Sequence, residues 1–164
     1  MAATTNSSFS RPKWRLIVLA TLSFWLSASL ILDGIVMPSL YATGMVTQPG
    51  FASAGYFLFE TFNHLEVVCA AIVITGILLL KTLAEEAGAI ERWQVVSAFV
   101  LLAIVLIFTY GLTPEMGALG LQLDQFAGSG NAALMAQMHS SYWVLEASKF
   151  GLAGVLLTTI WRQA

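Results

Sequence analysis

FETFNHLEVVCAAIVITGILLLK, residues 59–81, sets a polar segment directly against an apolar one. Val67–Leu80 carries no charged residue, yet at fourteen residues it is too short for a membrane-spanning helix, which needs about 20. A span built on this run must take in Glu66 and His64, or Lys81, or both ends. Glu60, Asn63, His64 and Glu66 are then not loop residues beside a bilayer, because some of them make up its thickness.

The rest of the chain supports a bilayer as the solvent. Of 164 residues, 58% are hydrophobic and 10% charged, where a soluble domain would carry about 25% charged. The mean hydropathy is +0.81. The length suits one domain. A net charge of −2 without a basic patch excludes a nucleic-acid partner. The single cysteine, Cys69, cannot form an internal disulfide and reads as a small packed hydrophobe.

Three more apolar runs follow the same logic. Leu16–Leu32, behind Arg11, Lys13 and Arg15, is longer than a signal-peptide core and reads as a retained helix. Trp93–Pro114 is charge-free. Phe150–Trp161 is short, so its helix must include Lys149 and Glu146. The expected architecture is all-α: an integral membrane four-helix bundle, up-down-up-down, with spans at about 14–37, 54–83, 93–113 and 132–161. Residues 1–13 read as a disordered polar tail and 14–162 as one membrane domain. Pro38 is expected to kink or end helix one. Thr113 is expected to cap, and Pro114 to open, a short outer interfacial helix carrying Met116, Leu119, Leu123 and Phe126 at helical spacing. Gly128–Gly130 turns into helix four. No repeat with a period of 20–50 residues is visible.

Six of the seven Lys and Arg residues (11, 13, 15, 81, 92 and 162) fall on one side of this topology, and the seventh is Lys149. Both termini are therefore expected in the cytoplasm, with the protein in a plasma or thylakoid-type membrane. Trp14, Trp25, Trp93, Trp143 and Trp161 read as an interfacial belt.

The intramembrane polar residues align. At about 100° per residue, Glu60, Asn63 and His64 share a stripe of helix two, flanked by Glu66. His139, Tyr142, Glu146 and Lys149 fall within about 80° on helix four. Asp33 lies near the outer end of helix one. Ionised side chains facing lipid are costly, about 2.5–3.5 kcal/mol each at mid-helix on insertion scales. They should turn inward and pair, as a pocket opening outward. A structural ion pair between Glu146 and Lys149 is the plain alternative. Glu60, His64 and His139 are weak metal ligands by residue type; no cofactor is predicted, a metal ion fits the donor set, and a haem between the histidines is disfavoured. Phosphate loops, CxxC pairs and HExxH are absent from the sequence. No catalytic motif is visible, and the chain does not read as an enzyme.

FWLSASLILDGIVMPSLYATGM (24–45), PGFASAGYFLFETFNHLEV (49–67) and HSSYWVLEASKFG (139–151) resemble the uncharacterised four-span transmembrane protein 205-like family, above all its cyanobacterial members. The shared features are Asp33 with Pro38, Phe62-Asn63, and His139 opening helix four. The resemblance implies a four-helix membrane domain and no settled reaction. It also implies that an arginine often stands at the place of His64, which favours a partner for the acids over ligation.

Two functions are expected from these readings. The first is an outward-facing carboxylate, histidine and lysine pocket that binds or conducts a cation or proton. It comprises Asp33, Glu60, Asn63, His64, Glu66, His139, Tyr142, Glu146 and Lys149. The second is a non-catalytic scaffold or assembly subunit of a larger membrane complex, or a self-associating protein, with Gly76, Gly111, Gly151 and Gly154 permitting close helix approach.

Overall fold

A computed structural model describes residues 11–48, 50–82, 90–125 and 130–163. The expected tail over residues 1–10 and the turn at 128–129 lie outside them. The described residues are helical, and they hold four helices long and apolar enough to cross a membrane: Pro12–Ala42, Phe51–Thr82, Arg92–Leu121 and Ala133–Arg162. Each exceeds the sequence expectation at one end or both. The first, of 31 residues, is about 46 Å long at 1.5 Å per residue, against a hydrocarbon thickness of about 30 Å. The added length lies mainly at the carboxyl ends of the first and third helices and at the start of the second.

The surplus exists because two prolines do not stop their helices. α1 (Arg11–Ile31) passes through a π-helical turn, Leu32–Val36, into α2 (Met37–Ala42). After a 3₁₀ turn and the positive-φ glycines Gly44 and Gly50 comes α3 (Phe51–Thr82). α4 (Arg92–Ile107) passes through a second π-helical turn, Phe108–Leu112, into α5 (Thr113–Gln125), and α6 (Gly130–Arg162) closes the chain. The Met37 N–H bonds the Leu32 carbonyl and the Thr113 N–H bonds the Phe108 carbonyl. Widening the turn by one residue lets the helix absorb the donor and the space that proline denies it.

Of the two outcomes expected of Pro38, a kink or an end, the helix does not end there but runs on to Ala42. Thr113 is an interior helical residue rather than a cap. Nor does α5 lie alone on a surface. It packs on α3, where a Cβ at Gly117 would collide with the Tyr56 ring and one at Gly120 would sit 3.4 Å from Ala52.

The two halves of the chain echo one another at a separation too long for the repeats sought in the sequence. Residues 32–44 and 108–120 each run from a π turn to a proline at the same place, then Leu40 or Met116, Ala42 or Ala118, and Gly44 or Gly120.

α1, α3, α4 and α6 share one apolar core. Val18, Leu22 and Trp25 meet Cys69, Val73 and Ile77, with Leu101 and Val105 from α4 and Leu156 and Ile160 from α6. The spacing of three and four along each helix is that of one buried face. α1 and α3 approach so closely at Gly76 that a Cβ there would strike Val18. A capping box between Glu91 and Gln94 starts α4, and Gln94 donates to Gln163 at 3.5 Å.

Candidate functional site: a buried carboxylate and lysine network

Directly beyond the apolar core, the chain buries ionisable groups from three helices. Trp25, Ser29 and Asp33 follow at i, i+4 and i+8 on α1 and its π turn, so they share a face. Glu66 comes from α3; Tyr142, Glu146 and Lys149 come from α6. Lys149 is 2% exposed and Glu66 and Glu146 are each 1%, a degree of burial these residue types reach only when paired.

Glu66 is the most heavily bonded. Its Oε1 accepts from Trp25 Nε1 at 2.8 Å and from Ser29 Oγ at 2.9 Å, and it pairs with the Lys149 ammonium. Lys149 Nζ also lies 2.8 Å from Glu146 Oε2 and donates to Ser29 Oγ at 3.3 Å. The Phe108 ring lies 5.5 Å from the ammonium, within cation–π range. Phe108 in turn stacks on Tyr142 with centroids 5.0 Å apart. The Tyr142 hydroxyl donates to Asp33 Oδ1 at 2.8 Å. Tyr142 stands one helical turn before Glu146 on α6, so the residue that holds Asp33 shares a face with Glu146. Asp33 Oδ2 and Glu146 Oε1 meet no donor among the described residues. Direct contacts run from Glu66 through Lys149 to Glu146, and Asp33 joins the layer through Tyr142.

Beyond Asp33 the surplus helix ends enclose a cavity of about 520 Å³, between α2, the first turns of α3, α5 and α6. Tyr41, Phe51, Tyr56, Phe59, Tyr142 and Trp143 supply aromatic walls, with Met37, Met116 and Met135. Asp33, Thr113 and His139 are its polar residues apart from the tyrosine hydroxyls and the tryptophan ring N–H.

The structure thus brings together five of the nine residues expected to form the pocket: Asp33, Glu66, Tyr142, Glu146 and Lys149. Asn63 is buried but serves elsewhere. Its Nδ2 donates to Thr113 Oγ1 at 2.7 Å, and its carbonyl accepts from Thr109 at 3.5 Å beside the second π turn. His139 borders the cavity from an exposed position, its Nδ1 2.9 Å from the Met135 carbonyl. His64 is also exposed. Its Nδ1 lies 2.7 Å from the Glu60 carbonyl and its ring meets Tyr110 edge-on. His64 stands one residue past Asn63, which turns it about 100° off the buried stripe. Glu60 lies a turn nearer the helix start than Asn63 and is half-buried.

Glu60, His64 and His139 do not form the ligand set considered from sequence. Among the described residues no group of three or more His, Cys, Asp or Glu side chains is placed to hold a metal ion. Each imidazole is turned back on its own helix.

Trp25, expected in an interfacial belt, is instead buried and bonded to Glu66, and Ser29 was not foreseen, although their four-residue spacing towards Asp33 was there to be read. Of the small residues considered for close approach, Gly76 packs within the chain, while Gly111, Gly151 and Gly154 face open space. Neither a family model, nor a curated protein, nor a solved structure matches the chain.

Proposed function

We propose that the Glu66–Lys149–Glu146–Asp33 network is a site that binds or conducts a proton or other cation. The observation that carries this reading is a charge imbalance. Three buried carboxyls share one ammonium, and low dielectric disfavours each unpaired carboxylate. The missing positive charge is supplied by a proton held on one of the carboxyls, or by a cation taken up at Asp33. Inward of Glu66 the core is apolar, so passage further requires the helices to shift, while binding does not.

The topology that goes with this proposal is up-down-up-down, with both termini cytoplasmic and the cavity facing outward. Close approach of Val18 to Gly76 and of Gln94 to Gln163 supports antiparallel neighbours. The gathering of Lys and Arg at one end supports the orientation. We also propose kinship with the transmembrane protein 205-like group on the residues quoted above. No reaction is assigned. A scaffold whose polar stripe greets a partner helix is disfavoured, because Tyr142, Glu146 and Lys149 turn towards residues of their own bundle.

The test is proton flux into liposomes carrying the purified protein and an entrapped pH-sensitive dye, under an imposed membrane potential. Flux above that of empty liposomes, lowered at least about tenfold by Glu146→Gln, is expected of a conductor. A binder that does not conduct shows no flux but melts at a temperature that depends on the cation present. Wild-type protein with neither property refutes the proposal.

A further inference from the structure

The cavity above Asp33 is shaped for more than a bare ion. A proton or small metal cation needs a few oxygens at close range. Here about 520 Å³ is walled by Tyr41, Phe51, Tyr56, Phe59 and Trp143 and closes on a single carboxylate. Volumes of 300–1,000 Å³ with mostly apolar walls and a few convergent polar groups are those of small-molecule sites. Of the described residues that line the cavity, Asp33 is the only acid, and none is lysine or arginine.

Asp33 is 6% exposed, with Oδ1 held by Tyr142 and Oδ2 without a donor among the described residues. The position is particular to one half of the chain. At the matching place of the second π turn stands Thr109, whose hydroxyl is satisfied by the Val105 carbonyl at 2.8 Å. One half thus presents a charge to the cavity where the other presents none.

A buried carboxylate at the foot of an aromatic box selects one chemistry. An anion would meet Asp33 directly, and a neutral molecule would leave it uncompensated. An organic cation meets both features, with charge against the carboxylate and alkyl groups against the ring faces. We infer that the cavity is a binding site for an organic ammonium ion, its charged nitrogen at Asp33 and its apolar body among Tyr41, Tyr56, Phe59 and Trp143. The inference rests on the reading above in one respect, that the Asp33 end of the network accepts a cation. It adds what that cation is. The bound ammonium and a proton on Asp33 therefore compete for the same carboxyl.

The experiment is equilibrium dialysis of benzyltrimethylammonium against the full chain in phosphatidylglycerol nanodiscs, with calorimetric confirmation. Its neutral carbon isostere, neopentylbenzene, is run alongside, corrected for partition into protein-free discs. Saturable binding of the ammonium is expected, at least tenfold weaker in Asp33→Asn. The amide oxygen of that variant can still accept from Tyr142, which favours folding. Tyr56→Leu, away from the charge network, is expected to weaken binding several-fold as a second check.

Repeating the titration in phosphatidylcholine discs separates the two natural sources of the same chemistry. Competition there marks a lipid headgroup as the occupant, and undiminished binding marks a free amine. Either supports the site. No saturable binding, equal binding of the isostere, or affinity unchanged by Asp33→Asn overturns it. Binding without any proton flux or cation-dependent melting in other ions leaves this inference standing and limits the network to holding the ligand. Flux without binding does the reverse.

Discussion

Lys149 is the residue on which the network turns. Its ammonium stands between Glu66 and Glu146 and is bonded to Ser29 as well. This changes what the loss of each partner should do. From the sequence, neutralising Glu146 would strand a buried lysine. In the structure Glu66 remains as its partner, so Glu146→Gln is expected to cost less than a fully broken buried pair, about 3–5 kcal/mol. Lys149→Met, by contrast, leaves Glu66 and Glu146 buried with no cation, and the full loss of that order is expected there. Adding Glu66→Gln and Glu146→Gln to Lys149→Met should restore most of it, because removing both signs of charge together leaves no uncompensated ion. Unfolding in mild detergent measures the series. Equal stability of Lys149→Met and wild type would show that the ammonium is not what neutralises the carboxyls.

At the scale of the helices, close approach and the π turns place these residues. Gly76 lets α1 lie against α3 so that Trp25 and Ser29 reach Glu66. In an exposed helix Gly→Ala gains roughly 1 kcal/mol of propensity. Here the added methyl meets Val18, a β-branched side chain that is 0% exposed, and overpacking of this kind costs about 1–3 kcal/mol. Gly76→Ala should therefore destabilise on balance, with a lower melting temperature as the readout. A raised melting temperature would mean that α1 and α3 stand further apart. The spans and the stripe of Tyr142, Glu146 and Lys149 were legible in the sequence because burial in lipid leaves a plain record in apolar runs and helical spacing. The π turns were not. Pro38 and Pro114 carry the usual signal of a helix end, and nothing local says that a widened turn will carry the helix through. That same one-residue insertion shifts the register of everything beyond it, which is why the cavity walls could not be drawn from spacing alone.

At the scale of the whole molecule, four long helices join an apolar core, a buried ionic layer and an aromatic cavity in that order. Sequence placed the ionic residues at one depth but could not separate those that converge from those that do not. Asn63, His64 and Glu66 lie within four residues of each other, yet they serve a helix latch, an exposed face and the network respectively. The account depends on the ionic layer holding more positive charge than Lys149 supplies. Infrared spectroscopy of the protein in lipid tests that most directly, at neutral pH, in a buffer whose only cations are protons and a counterion too large for the cavity above Asp33. The expected result is a carboxylic-acid carbonyl band that shifts on exchange into deuterium oxide and is lost when Asp33→Asn and Glu146→Gln are combined. A spectrum without that band in the wild type, or a band untouched by the double substitution, would contradict it.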